Sequence, residues 1–122
     1  MSLRADASRL RVHQIASEIA VDVDKIARRF RGPGSLAQGD QLARAVLSIS
    51  SNIAEACGRG TVRDFRNFLS YARGSCQESL SQVRVFRRIY TRLGPELSHL
   101  EQKLVVVLKM IDRLSLNPAP AR

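Results

Sequence analysis

The sequence has no tryptophan, and aromatic residues make up only 5% of it. A row of rings on which unpaired bases could stack is therefore poorly provided for. Cysteine and histidine occur twice each. No pair of them has zinc-ligand spacing, and the Glu-x-x-His signature of di-iron bundles is missing. There is no glycine-rich phosphate loop and no serine placed with a histidine and an acid in a readable order. These absences point away from an enzyme and from any metal or cofactor. No run of about 18 apolar residues occurs, so no membrane span is expected. The opening Met1-Ser2-Leu3-Arg4-Ala5-Asp6 has no apolar stretch, so no signal peptide is expected either, and the chain reads as cytoplasmic. Strand alternation, internal repeats and low-complexity tracts are also absent.

What is present is aliphatic and basic. The 122 residues form one domain, long enough to bury a core without disulfides or metal. Hydrophobic residues make up 44%, most of them Leu, Ile, Val and Ala, which suits helix-on-helix packing. The formal net charge is +9, and 17 of the 20 basic residues are arginine. An excess of this size steers a protein toward an anionic partner, although a merely solvated surface would carry it too.

Hydrophobic periodicity predicts four helices. In the first, at about 6–30, Val12, Ala16, Ile19, Val23, Ile26 and Phe30 alternate by four and three, a seam suited to bundle packing. Gly32-Pro33-Gly34 ends it. The second runs from about 36 to 57, with Leu42, Val46, Ile49, Ile53 and Ala56 on one face. Ser35 or Asp40 could cap its start, and the sequence does not choose between them. Gly58-Arg59-Gly60 makes the next turn. Thr61 with Asp64 three residues on is a capping-box pattern that opens the third helix, at about 62–92. Gly94-Pro95-Glu96 opens the fourth, at about 95–116, whose seam is Leu97, Leu100, Leu104, Val107, Ile111 and Leu114. Residues 117–122 read as a disordered tail. Long helices with short connections give an all-α, antiparallel up-down-up-down four-helix bundle over residues 1–116.

In that layout His13 and His99 lie at opposite ends and cannot share a metal. Cys57 and Cys76 sit roughly 20 Å apart along the bundle, at about 1.5 Å per residue from the turn, so they should stay reduced. Val105, Val106, Leu108 and Met110 carry apolar surface beyond the fourth helix's seam. Either a subunit interface or a wider core stripe would account for them.

The charge is patterned. At 100° per residue, Arg59, Arg63, Arg66, Arg73, Arg84, Arg87, Arg88 and Arg92 fall within an arc of roughly 140°. Phe65, Phe68, Ala72, Val83, Phe86 and Tyr90 fall opposite. Within residues 59–92 only Asp64 and Glu78 oppose eight arginines. This face is the candidate nucleic-acid interface, with Arg59, Arg63, Arg66, Arg73, Arg84, Arg87 and Arg88 as its residues. Contact with phosphates would be electrostatic and weakly sequence-specific.

A second constellation is polar: Ser48, Asn52 and Glu55 beside the second helix's apolar stripe, and Ser75 and Glu78 where the third helix breaks its pattern. With no nucleophile and base among them, a hydrogen-bonded network that fixes helix register is favoured over a small-molecule site. Gly74 in mid-helix costs about 1 kcal/mol against alanine, which suggests a close helix approach there.

Gln41-Leu42-x-Arg44-Ala45-x-x-Ser48-Ile49, Ser51-Asn52-Ile53-Ala54-Glu55, Gly58-Arg59, Phe65-x-x-Phe68-Leu69 and Ala72-x-Gly74-Ser75-x-x-Glu78 together resemble a bacterial four-helix-bundle family. Its members are encoded in intervening sequences of 23S ribosomal RNA genes. A related branch serves as the accessory protein of diversity-generating retroelements. The likeness is close over about half the chain and extends to the rest in helix layout. Ser50 stands where the family often has proline, Ala56 where it usually has glycine, and the first helix lacks the early aromatic. The resemblance implies a ring-shaped homopentamer without enzymatic activity, and in the accessory branch a basic assembly that contacts a reverse transcriptase and nucleic acid.

Overall fold

In the computed structural model, which describes residues 3–116 and side chains from Arg9 onward, each predicted seam turns inward. The helices are α1 (Leu3–Ala27), α2 (Ser35–Cys57), α3 (Val62–Ile89) and α4 (Gly94–Leu116), with a short 3₁₀ turn, Thr91–Leu93, before α4. Each helix packs against its sequence neighbours, and α1 closes the bundle against α4. No strand occurs among the described residues. The tail expected at 117–122 lies outside the described residues.

The four-three seams become one core. Val12, Ala16, Ile19 and Val23 of α1, Ile49 and Ile53 of α2, and Leu97, Leu104 and Val107 of α4 are fully buried. From α3 come Phe65, Leu69, Ala72, Cys76, Val83 and Phe86. Burial of this kind, at about 25 cal/mol per Å² of apolar surface, is what offsets the entropy of ordering four helices.

The helix ends differ from expectation in ways that local chemistry explains. α1 stops at Ala27 instead of reaching Phe30, because the amides of Arg29 and Phe30 tighten to the carbonyls of Ile26 and Ala27. Phe30 is still buried, stacked on Tyr90 at 4.2 Å and edge-on to Phe86 at 5.2 Å. Neither Ser35 nor Asp40 caps α2. Its cap is Gly34, at φ 77°, a left-handed conformation in which glycine needs no side-chain help. The helix then runs straight through Gly39. A Cβ at Gly39 would stand 3.2 Å from that of Ala27, so the close α1–α2 approach falls here. It does not fall at Gly74, where a Cβ would meet nothing within 4 Å.

Thr61 caps α3 as expected, its Oγ1 accepting the Asp64 amide at 3.1 Å. α3 ends at Ile89, so Arg92 belongs to the 3₁₀ turn. Tyr90 leaves the helix axis and donates its hydroxyl to Gln38 Oε1 at 2.5 Å, tying the α3 end to the start of α2.

Of the surplus apolar residues on α4, Val105, Leu108 and Met110 pack against the core, the wider-stripe alternative. Only Val106 stays exposed. Other exposed large apolar residues include Leu10 and Val21 on α1, Leu36 and Leu47 on α2 and Leu116 at the end of α4. Cys57 and Cys76 are not bridged to each other. Cys76 is buried, and its Sγ donates to the Leu104 carbonyl at 3.2 Å. Burial pushes that thiol up to about 12, against the pull of Arg73, so it carries no thiolate at neutral pH.

Candidate nucleic-acid interface

α3 supplies nearly all of the predicted arginine face, and the geometry divides it in two. One half is a seam with α4. Arg73 forks onto Asp112, Nε to Oδ1 at 2.6 Å and Nη2 to Oδ2 at 3.4 Å. That hydrogen bond, with the charge of Asp112, raises the Arg73 guanidinium further above its ordinary value. Arg84 Nε meets Glu101 Oε2 at 2.9 Å, and Arg87 Nη1 meets Glu101 Oε1. The Arg84 hydrogen bond, reinforced by Arg87, holds the Glu101 carboxyl below the usual carboxylate range despite its partial burial. Arg59, in the turn before α3, pairs with Glu55 at 2.6 Å and lies over the Phe68 ring at 4.4 Å. These four arginines are therefore partly neutralised, Arg59 by the acid one turn before it and the other three by acids of α4.

The other half keeps its charge. Arg66 donates Nε to the Ser115 carbonyl at 2.9 Å, in the last turn of α4, where the helix dipole favours a cation but no carboxylate cancels it. Arg63 and Arg88 are exposed and, among the described residues, have no ion-pair partner. Arg92 is exposed in the 3₁₀ turn, also without such a partner.

Sequence reasoning missed Asp112 and Glu101, because it counted only acids within residues 59–92. A signal for them exists. Antiparallel helices joined near Leu93 pair residues whose numbers add to about 185. Arg73 with Asp112 and Arg84 with Glu101 both obey that rule.

The polar constellation is partly assembled. Ser48 and Ser75 share a hydrogen bond between their hydroxyls at 2.9 Å, across α2 and α3. Asn52 Nδ2 donates to the Ser48 carbonyl at 2.9 Å and to Ser48 Oγ at 3.1 Å. Ser79, fully buried, donates to the Ser75 carbonyl. Glu55 and Glu78 do not join: both are exposed, Glu55 on Arg59 and Glu78 accepting from Gln82. What remains is a serine–asparagine link that sets the α2–α3 register. It offers no acid–base pair, and the two glutamates proposed for a core site face water.

His13 lies in the first half of α1, and His99 lies near the other end of that helix, beside Ile26 and Arg29. No group of three His, Cys, Asp or Glu side chains among the described residues could hold a metal ion. Among the described residues no helix is long and apolar enough to cross a membrane.

One family model matches residues 8–113, that of the 23S rRNA-intervening sequence protein. No curated protein and no solved structure matches the chain. The matched span takes in the seams of α1, α2 and α3, that of α4 as far as Ile111, the Ser48–Asn52–Ser75 link and the whole arginine face. The chain belongs to the family of 23S rRNA-intervening sequence proteins.

Proposed function

We propose that this protein is a non-enzymatic, homo-oligomeric helical bundle of the cytoplasm that binds RNA or DNA backbone through the outer face of α3. One observation carries the reading: Arg63, Arg66 and Arg88 stay uncompensated on that face while their neighbours are paired with acids. Arg63 and Arg66, three residues apart on one helix, repel each other, and a polyanion relieves that repulsion. Each phosphate contact releases counterions and adds roughly 0.7–0.9 to the slope of log affinity against log salt. Base edges are not read, so discrimination among sequences is weak.

Replacing Arg63, Arg66 and Arg88 together by Gln should preserve the fold, since all three are exposed. The variant should lose about two to three units of salt slope and weaken binding to unrelated sequences about equally. Replacing Arg73 instead should change the slope much less, because Asp112 already neutralises it. Fluorescence anisotropy over a salt series checks both. An unchanged slope in the triple variant rejects the assignment.

The assembly we propose is a homopentameric ring, supported by the family resemblance and by exposed Leu10, Val21, Leu36 and Leu47. Light scattering should then give a mass near five times 13.6 kDa. A monomer at micromolar concentration would reject the ring.

A second reading has its own support. Tyr71, Val85 and Ile89 are exposed on α3 beside the arginines, a mixture that suits an acidic protein such as a reverse transcriptase. On that reading the triple Gln variant loses the protein partner, and neither it nor the wild type shows salt-dependent binding to nucleic acid.

A further inference from the structure

The open charge of α3 sits at its two ends. Arg63 stands in the first turn and Arg88 in the last, with no ion-pair partner among the described residues. They are 25 residues apart, almost a whole number of helical turns at 3.6 residues each, so both project along one line. At about 1.5 Å per residue their Cα atoms lie roughly 37 Å apart. Between them the positions along that line are Ser70, Gly74, Gln77 and Ser81, all exposed and none charged, with Asn67 and Val85 beside it and the exposed Glu78 farther to that side.

Gly74 needs an explanation from outside the chain. It sits inside an uninterrupted helix, where glycine is unfavourable. A Cβ there would meet nothing within 4 Å, so packing within this chain does not require its absence. An outermost line without charge, with a cation at each end and the Glu78 carboxylate set to one side where it accepts from Gln82, fits a partner whose negative charge recurs at the same interval and whose bulk approaches closely between.

Duplex DNA has that form. Equivalent phosphates of one strand recur every turn, about 34–36 Å along the axis, and an arginine side chain has reach enough to absorb the small difference from 37 Å. With α3 laid along the duplex, the complementary strand crosses near the middle of the helix. There Gly74 leaves room, and Ser70 and Gln77 can donate hydrogen bonds to phosphate oxygens. We infer that α3 is a one-turn gauge for B-form duplex DNA, with Arg63 and Arg88 on successive turns of one strand and Gly74 admitting the other strand between them. The inference rests on the backbone-binding reading above and adds duplex form and a minimum length to it.

The test uses the full chain and fluorescently labelled mixed-sequence DNA duplexes of 6, 10, 14 and 20 base pairs at about 50 mM salt. A single-stranded 20-mer and a 20-base-pair RNA duplex run alongside. Affinity should step up at least tenfold between 6 and 14 base pairs and exceed that for the single strand. Arg63→Gln and Arg88→Gln should each remove most of the step while changing 6-base-pair binding by no more than about twofold. Gly74→Leu projects into open space, so it should keep the helix content and melting temperature yet weaken 14-base-pair binding several-fold. A smooth rise with length, equal binding of the single strand or of RNA, or indifference to Gly74→Leu overturns the gauge and leaves general backbone binding standing. Absence of salt-dependent binding to every one of these polyanions overturns the backbone reading itself.

Discussion

Leu104→Ala should cost about 2–5 kcal/mol, the usual range for truncating a large buried aliphatic side chain, and lower the melting temperature by roughly 10 °C or more. Leu104 is fully buried, and its carbonyl accepts the Cys76 thiol across the α3–α4 seam. Truncation removes three methylene-sized groups from a core lined by side chains of all four helices, which relax only partly around the cavity left behind. Arg73–Asp112 and Arg84–Glu101 bridge the same two helices at the surface. The void should therefore stay open, and the cost should fall in the upper part of that range. Urea titration measures it. A loss under about 1 kcal/mol would mean that α3 and α4 do not pack as described.

The second large effect runs in the opposite direction, toward gain. Glu101→Gln keeps the shape of the side chain and removes the one charge that Arg84 and Arg87 share. Both guanidiniums are then free to turn outward beside Arg88. Two exposed ion pairs at about 0.5 kcal/mol each correspond to roughly fivefold tighter binding of a polyanion. The salt slope should steepen by up to about 1.4–1.8. Stability should shift as well. Arg84 and Arg87 hold the Glu101 carboxyl below its ordinary value, so its contribution is present above the unfolded carboxylate range and is lost as pH falls through the lowered folded value. The variant should lack that acid-side loss, leaving wild type and variant closer in stability at pH 3 than at pH 7. Unchanged affinity together with an unchanged slope would show that Arg84 and Arg87 do not face the ligand.

These two predictions draw on parts of the molecule that were not equally visible in the sequence. The core was. Positions such as Ile19, Ile49 and Leu104 follow from a period that repeats within a single helix, and a local period survives whatever the helix packs against. The capping pattern of Thr61 was legible for the same reason, since its partner is three residues away. The Gly34 cap was less so, because a left-handed glycine and a serine cap leave similar traces in a short Gly-Pro-Gly-Ser stretch.

The surface depended on register. Whether Arg73 is open or neutralised depends on where Asp112 arrives, 39 residues later, and that is set by the turn at Tyr90–Gly94. The helical projection placed the arginines correctly on one side of α3 but could not show that α4 supplies acids to its edge. The polar constellation departed from expectation in the same way at Glu55 and Glu78. Both share a helix side with Asn52 or Ser75, yet their longer side chains reach water and find local partners there. Gly74 misled in the most informative way. Its cost in a helix suggested a close approach inside the bundle, and the neighbouring helix is absent from that side.

The function proposed above depends on the uncompensated arginines of α3 engaging nucleic-acid backbone. The most direct measurement is the affinity of the wild-type protein for RNA and DNA as salt is raised from about 50 to 200 mM. Binding is expected at the low end to both, with little preference among sequences, and log affinity should fall linearly with log salt with a slope that corresponds to at least about three phosphate contacts for each copy engaged. No binding at about 50 mM salt, or binding that does not weaken as salt rises, would contradict it.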